Sequence, residues 1–117
     1  MATVLVADDA SFMRMRLRKL VEGLGFDVVE AGDGEEAVRA YREHRPCLVL
    51  LDITMPNKDG LEALKEILQE DPGAKVVMCS ALAQRSVVVE ALKLGARDFV
   101  VKPPDPNRVV QAIKRLV

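Results

Sequence analysis

Asp8, Asp9, Asp52, Ser80 and Lys102 each follow a short apolar run, and that placement gives them chemical meaning. Thr3–Ala7 runs into Asp8-Asp9, Cys47–Leu51 into Asp52, Val76–Cys79 into Ser80 and Phe99–Val101 into Lys102. If each run is a strand of one open parallel α/β sheet, the carboxyl ends share an edge, and ligands bind along such edges. Three carboxylates, a hydroxyl and an ammonium then meet in one cleft.

Such a cleft has an electrostatic problem. Two carboxylates about 5 Å apart repel by about 3 kcal/mol at an effective dielectric near 20, and three mutual pairs by about 10 kcal/mol. Lys102 offsets one unit of charge and leaves two, which a divalent cation cancels. Oxygen-only ligands with room for water suit Mg²⁺, or Mn²⁺, better than zinc. Asp52 follows the most apolar run and should sit at the base of the cleft on a rigid central strand. A carboxylate so placed beside Mg²⁺ can act as a nucleophile toward phosphorus and form an acyl phosphate. Lys102 and Ser80 can then contact the phosphoryl oxygens as a cation and a hydrogen-bond donor. Simpler roles stand beside these. Asp8 or Asp9 can cap a helix, Asp52 can be a turn residue, and Lys102 can be a solvated lysine. A serine triad lacks its histidine, because His44, the one histidine, falls at the polar end of a helical segment.

The elements that position these residues follow from periodicity. Strand-length apolar runs alternate with amphipathic segments of helical length five times, the pattern of a parallel sheet covered by helices on both faces. The helices are expected at about Ser11–Leu24 with Gly25 as stop, from Asp33 to before Pro46, from Asp59-Gly60 to Asp71-Pro72-Gly73, from Gln84 to Leu94 with Gly95 as stop, and from Asp105-Pro106 to Leu116. Asp27–Ala31 supplies the second strand. Asp33 with Glu36 has the spacing of a capping box.

The 117 residues suit one domain, 1–117, with a core of Val, Leu, Ile, Ala and Met. A net charge of −1 provides no overall basic field for nucleic acid. The first apolar run breaks at Asp8-Asp9, too early for a signal peptide, and no run is long enough for a membrane span. These features point to a soluble cytoplasmic protein. Cys47 and Cys79 lie in apolar runs and read as small buried hydrophobes rather than a disulfide, a metal site or a nucleophile.

In this order, Asp8-Asp9, Asp52, Met55-Pro56, Gly60, Ser80-Ala81 and Lys102-Pro103 resemble the receiver domain of two-component response regulators, across essentially the whole chain. The stretches Asp8–Met15, Asp52–Pro56 and Met78–Ala81 are similar to single-domain CheY-type chemotaxis regulators. The resemblance implies a flavodoxin-like, doubly wound (βα)5 fold with strand order 2-1-3-4-5, an order for which this family is itself a standing example. It makes Asp52 the phosphoacceptor for a histidine kinase. Asp9 and Asp52 bind Mg²⁺ directly, Asp8 acts mostly through water, and the backbone carbonyl of Thr54 completes the protein ligands. Ser80 and Lys102 bind the phosphoryl group. Ser80 and Phe99 are the switch pair, with Phe99, otherwise a core aromatic, turning inward. The Lys102-Pro103 bond is expected cis. Pro104 departs from the aromatic residue common in the family, which bears on partner contacts at that corner and not on the chemistry.

The same resemblance implies a switch rather than a turnover enzyme, catalysing only its own phosphorylation and slow dephosphorylation. Its output is a protein partner bound through the fourth helix, fifth strand and fifth helix, in chemotaxis or flagellar motor control. Arg85, Lys93, Arg97, Arg108, Lys114 and Arg115 give that face a basic character suited to an acidic peptide, or to plain solvation. Leu82 borders the path of the hydrolytic water and should lengthen the phosphate's lifetime. The alternatives are a phosphorelay intermediate and a Mg²⁺-dependent aspartyl-phosphate phosphatase. Thr54, standing where the latter needs an acid, argues against it.

Overall fold

Leu48–Leu51 (β3) is the middle strand of a five-stranded sheet, and its residues are at most 2 % exposed. A computed structural model describes residues 2–81 and 84–117. Around β3 lie Thr3–Ala7 (β1) and Asp27–Ala31 (β2) on one side, and Val76–Ser80 (β4) and Asp98–Val101 (β5) on the other. Every pairing is parallel and the order is β2-β1-β3-β4-β5. This is the expected flavodoxin-like arrangement. The intervening helices are Ser11–Gly23 (α1), Gly34–His44 (α2), Gly60–Glu70 (α3), Arg85–Leu94 (α4) and Pro106–Leu116 (α5).

Strand side chains alternate between two faces, and both faces are covered. Leu5, Val49, Leu51, Val76 and Met78 pack against α2, α3 and α4 through Val38, Leu64, Ile67 and Ala91. Val4, Val6, Leu48, Leu50 and Val77 pack against α1 and α5 through Leu17, Val21, Val109 and Ile113. Two buried faces explain why the strands read as unbroken apolar runs. Cys79 is buried in the second cluster and its thiol is pushed up to about 11 by burial. Cys47 precedes β3, where its N–H donates to Thr3 O at 2.8 Å, and both cysteines are free.

The helix ends follow the local chemistry. Asp33, Asp59 and Asp105 cap α2, α3 and α5, accepting from the N–H groups of Glu36, Glu62 and Asn107. The Asp33 box closes differently from expectation: Glu36 accepts from the N–H of Gly32, one residue before the cap, at 3.2 Å. Gly25 and Gly95 take φ of 97° and 118°, left-handed conformations that end α1 and α4 at low steric cost. Arg45 does the same for α2 with φ 44°, immediately before Pro46.

Candidate metal and phosphoryl site

Asp8, Asp52 and Lys102 stand one step past a strand and Ser80 on the last residue of one, each held there by backbone hydrogen bonds, while Asp9 lies one residue further along the β1–α1 loop. Asp8 N–H donates to Ala31 O at 3.0 Å, Asp52 N–H to Ala7 O at 2.9 Å and Lys102 N–H to Ser80 O at 3.0 Å. Ser80 closes β4 opposite Val101 and is 1 % exposed. The sheet ladders thus extend into the loops and fix where these side chains leave the backbone.

The acids converge as expected: Asp8, Asp9 and Asp52 each offer an oxygen, all within 4.8 Å of one another. Asp8 and Asp52 are buried and Asp9 is exposed. Lys102 bridges the buried pair, its Nζ hydrogen-bonded to Asp8 Oδ2 and lying 3.1 Å from Asp52 Oδ2. Asp8 Oδ1 accepts from Ala10 N–H at 2.9 Å and Asp52 Oδ1 from Ile53 N–H at 2.8 Å. Two of the simpler roles fail, the α1 cap for Asp8 or Asp9 and the solvated lysine for Lys102. The N-cap of α1 is Ala10, with no side-chain cap, and the Lys102 side chain is only 13 % exposed.

Burial drives the Asp52 carboxyl above its ordinary value, and the charge and hydrogen bond of Lys102 oppose this without cancelling it. Burial alone would lower the Lys102 ammonium, but its hydrogen bonds and charge interactions with Asp8 and Asp52 leave it raised. Lys102 therefore carries its charge at neutral pH, and the charged form of Asp52 bears a desolvation cost. Three carboxylates facing one ammonium, all-oxygen donors, and an exposed member open to water fit a hard divalent cation.

Gly60 holds the floor of the site. Its N–H donates to Ile53 O at 2.7 Å, and a Cβ at Gly60 would lie 1.9 Å from the Asp52 carbonyl oxygen. No larger residue fits without moving the backbone of Asp52. The β3–α3 loop is pinned further out by Asn57, which adopts φ 67° and donates to Asp33 Oδ2 at 2.8 Å. Thr54 lies in this loop and is exposed.

Residues 4–114 match the model of the response regulator receiver domain. The chain belongs to that family. This receiver is 49 % identical to the chemotaxis protein CheY of Thermotoga maritima, covering 97 % of this chain and 95 % of that one. It is 50 % identical to the chemotaxis protein CheY of Bacillus subtilis, over 96 % and 94 % of the two chains. The CheX–CheY–BeF3–Mg²⁺ complex from Borrelia burgdorferi contains a chain 39 % identical to the receiver, with a TM-score of 0.94 over 97 % of this chain and 87 % of that one. The receiver is of CheY type, a signalling switch by family.

Around the site the receiver partly departs from expectation. Phe99 is half-buried on β5, packed against the cluster beneath α2, α3 and α4, and Lys102-Pro103 is cis. His44 is exposed, as expected of a solvated residue. The face of α4, β5 and α5 is less basic than its cation count implied. Asp98 pairs with Arg108 at 2.7 Å and with Arg115 at 3.1 Å, and Arg108 also donates to Phe99 O at 3.4 Å. Burial works against the Asp98 carboxylate, yet Arg108, the Phe99 N–H and Arg115 together hold it below its ordinary value. Leu82 lies outside the described residues. No helix among the described residues is long and apolar enough to cross a membrane.

Proposed function

We propose that this receiver is switched by phosphoryl transfer to Asp52. The observation that carries the proposal is the Lys102 bridge between the buried carboxylates of Asp8 and Asp52, beside the exposed Asp9. An ionised Asp52 oxygen attacks phosphorus. The new O–P bond forms as the P–N bond of a phosphohistidine on a histidine kinase breaks, and the imidazole nitrogen leaves with the electron pair. Lys102 shifts from its carboxylate partners onto the phosphoryl oxygens, and the Ser80 hydroxyl donates to one of them. Asp9 and Asp52, with Asp8 through water and the Thr54 carbonyl, would hold Mg²⁺ or Mn²⁺, which when bound would supply charge neutralisation at those oxygens.

Residues 1–117 act as one receiver unit in the cytoplasm. The unit promotes its own phosphorylation and slow dephosphorylation, and it does not turn over a separate substrate. Movement of Ser80 toward the phosphate lets Phe99 turn inward and shifts α4, β5 and α5, the face that binds the output partner. Identities near one half to chemotaxis proteins support chemotaxis or flagellar motor control as the process.

Incubation with Mg²⁺ and acetyl phosphate, followed by intact-mass measurement, tests this. A switch gains one phosphoryl group that Asp52→Asn abolishes. Turnover of many equivalents would instead identify a phosphatase, and no mass gain a phosphorylation-independent scaffold.

A further inference from the structure

Arg14 lies one turn into α1 and takes no part in the chemistry above, yet its guanidinium reaches back over the β1–α1 loop. Its Nη1 donates to the carbonyl oxygen of Asp8 at 2.7 Å. That carbonyl belongs to the peptide joining the two adjacent acids. Its tilt sets the direction in which Asp9 projects. The Asp8 residue is otherwise fixed at its N–H by Ala31 and at its side chain by Ala10 and Lys102. Asp9 is exposed, and none of the described residues hydrogen-bonds to its side chain. Arg14 is in turn held by Glu30 on β2, whose Oε1 lies 3.1 Å from Arg14 Nε. The other oxygen of Glu30 takes Arg18 Nη1 at 2.5 Å. The chain Arg18–Glu30–Arg14–Asp8 thus ties the acidic loop to two elements of the core.

We propose that Arg14 is a positioning residue for divalent-cation binding, orienting the Asp8–Asp9 peptide so that Asp9 faces Asp52. The proposal rests on the phosphorylation reading, because it assumes that these acids bind a metal. Electrostatics alone gives the opposite sign. A guanidinium beside three carboxylates repels a cation, so deleting it would tighten metal binding. If Arg14 works by position, deleting it weakens binding. Residues that orient metal ligands through hydrogen bonds are worth about 10–100-fold in affinity.

The test is Mn²⁺ affinity, read from the electron paramagnetic resonance of the free ion, with urea unfolding as a check on folding. Arg14→Ala is expected to bind Mn²⁺ about tenfold more weakly than wild type while remaining folded. Arg14→Lys, which keeps one donor, recovers part of the loss. In an Asp9→Asn background the Arg14→Ala change costs little, because the ligand it would position is already gone. Equal or tighter Mn²⁺ binding by folded Arg14→Ala overturns the proposal, and so does a full additive loss in the Asp9→Asn background. Should Arg14→Ala not fold, Arg14→Gln, which keeps most of the stem and drops the guanidinium, carries the same expectations. Wild type that binds no Mn²⁺ would sink the phosphorylation reading itself. Wild type that binds it while Arg14→Ala binds equally well would sink only the role of Arg14.

Discussion

Replacing Lys102 by Met keeps most of the buried stem and removes the one cation that bridges Asp8 and Asp52. At the 3.1 Å separation from Asp52, the attraction is about 5 kcal/mol at an effective dielectric near 20, before desolvation is subtracted. Removing one partner of a buried pair costs about 3–5 kcal/mol, because the other charge is left uncompensated. The lower end applies here. Asp52 already sits above its ordinary carboxyl value and can take up a proton instead of remaining a bare charge. The expected loss is about 3 kcal/mol in EDTA, a large share of the roughly 5–15 kcal/mol that holds a domain folded. In urea that lowers the midpoint by about 1–3 M. Magnesium should act in the opposite sense. In wild type a divalent cation enters a notch that already contains an ammonium, and in Lys102→Met it does not. If the variant binds Mg²⁺ tenfold more tightly, the ion stabilises it by about 1.4 kcal/mol more than it stabilises wild type at saturation. Paired urea titrations with EDTA and with Mg²⁺ measure both effects. A variant as stable as wild type in EDTA would refute the reasoning, as would Mg²⁺ stabilising wild type more than the variant.

Other expectations follow from the same geometry. Gly60→Ala drives a Cβ to within 1.9 Å of the Asp52 carbonyl oxygen, so urea unfolding should show a loss of about 3 kcal/mol together with failed acetyl phosphate labelling. Because burial raises the Asp52 carboxyl, its side-chain carbon in metal-free protein should titrate above the ordinary 3.8, and higher still in Lys102→Met. A midpoint at or below 3.8 in both proteins contradicts the electrostatics described. Asp98 is held below its ordinary value, so its stabilising contribution is present above the unfolded-state value and is lost as pH falls through the depressed one. Asp98→Ala should therefore cost about 1 kcal/mol near neutral pH, with both arginines partly solvated, and should cost less at acid pH. An equal cost at both pH values would count against the Asp98 clamp.

The sequence carried the sheet and its chemistry because one physical rule governs both. Buried parallel strands must be apolar, so the polar residues at their ends stand out, and Asp8, Asp9, Asp52, Ser80 and Lys102 all stood at such ends. The caps Asp33, Asp59 and Asp105 were legible because capping is local in sequence. Contacts set by tertiary approach were not. Arg14 reads as an ordinary exposed arginine of an amphipathic helix until β2 places Glu30 beside it. Gly60 could be matched to the family motif, but its reason, the closeness of the Asp52 carbonyl, is a packing distance. The neutralisation of Arg108 and Arg115 by Asp98 appears only when α5 packs beside β5. Counting cations along a face overstates its charge whenever a neighbouring strand supplies the counterion.

The most direct test of the switch is a crystal grown with magnesium and beryllium fluoride. The account predicts a beryllium trifluoride group bonded through beryllium to an Asp52 carboxylate oxygen, a cation contacted by Asp9 and Asp52, and Lys102 Nζ moved off Asp8 onto a fluoride. Clear density for Lys102 still bridging Asp8 and Asp52, with nothing bound between them and Asp9, would contradict it.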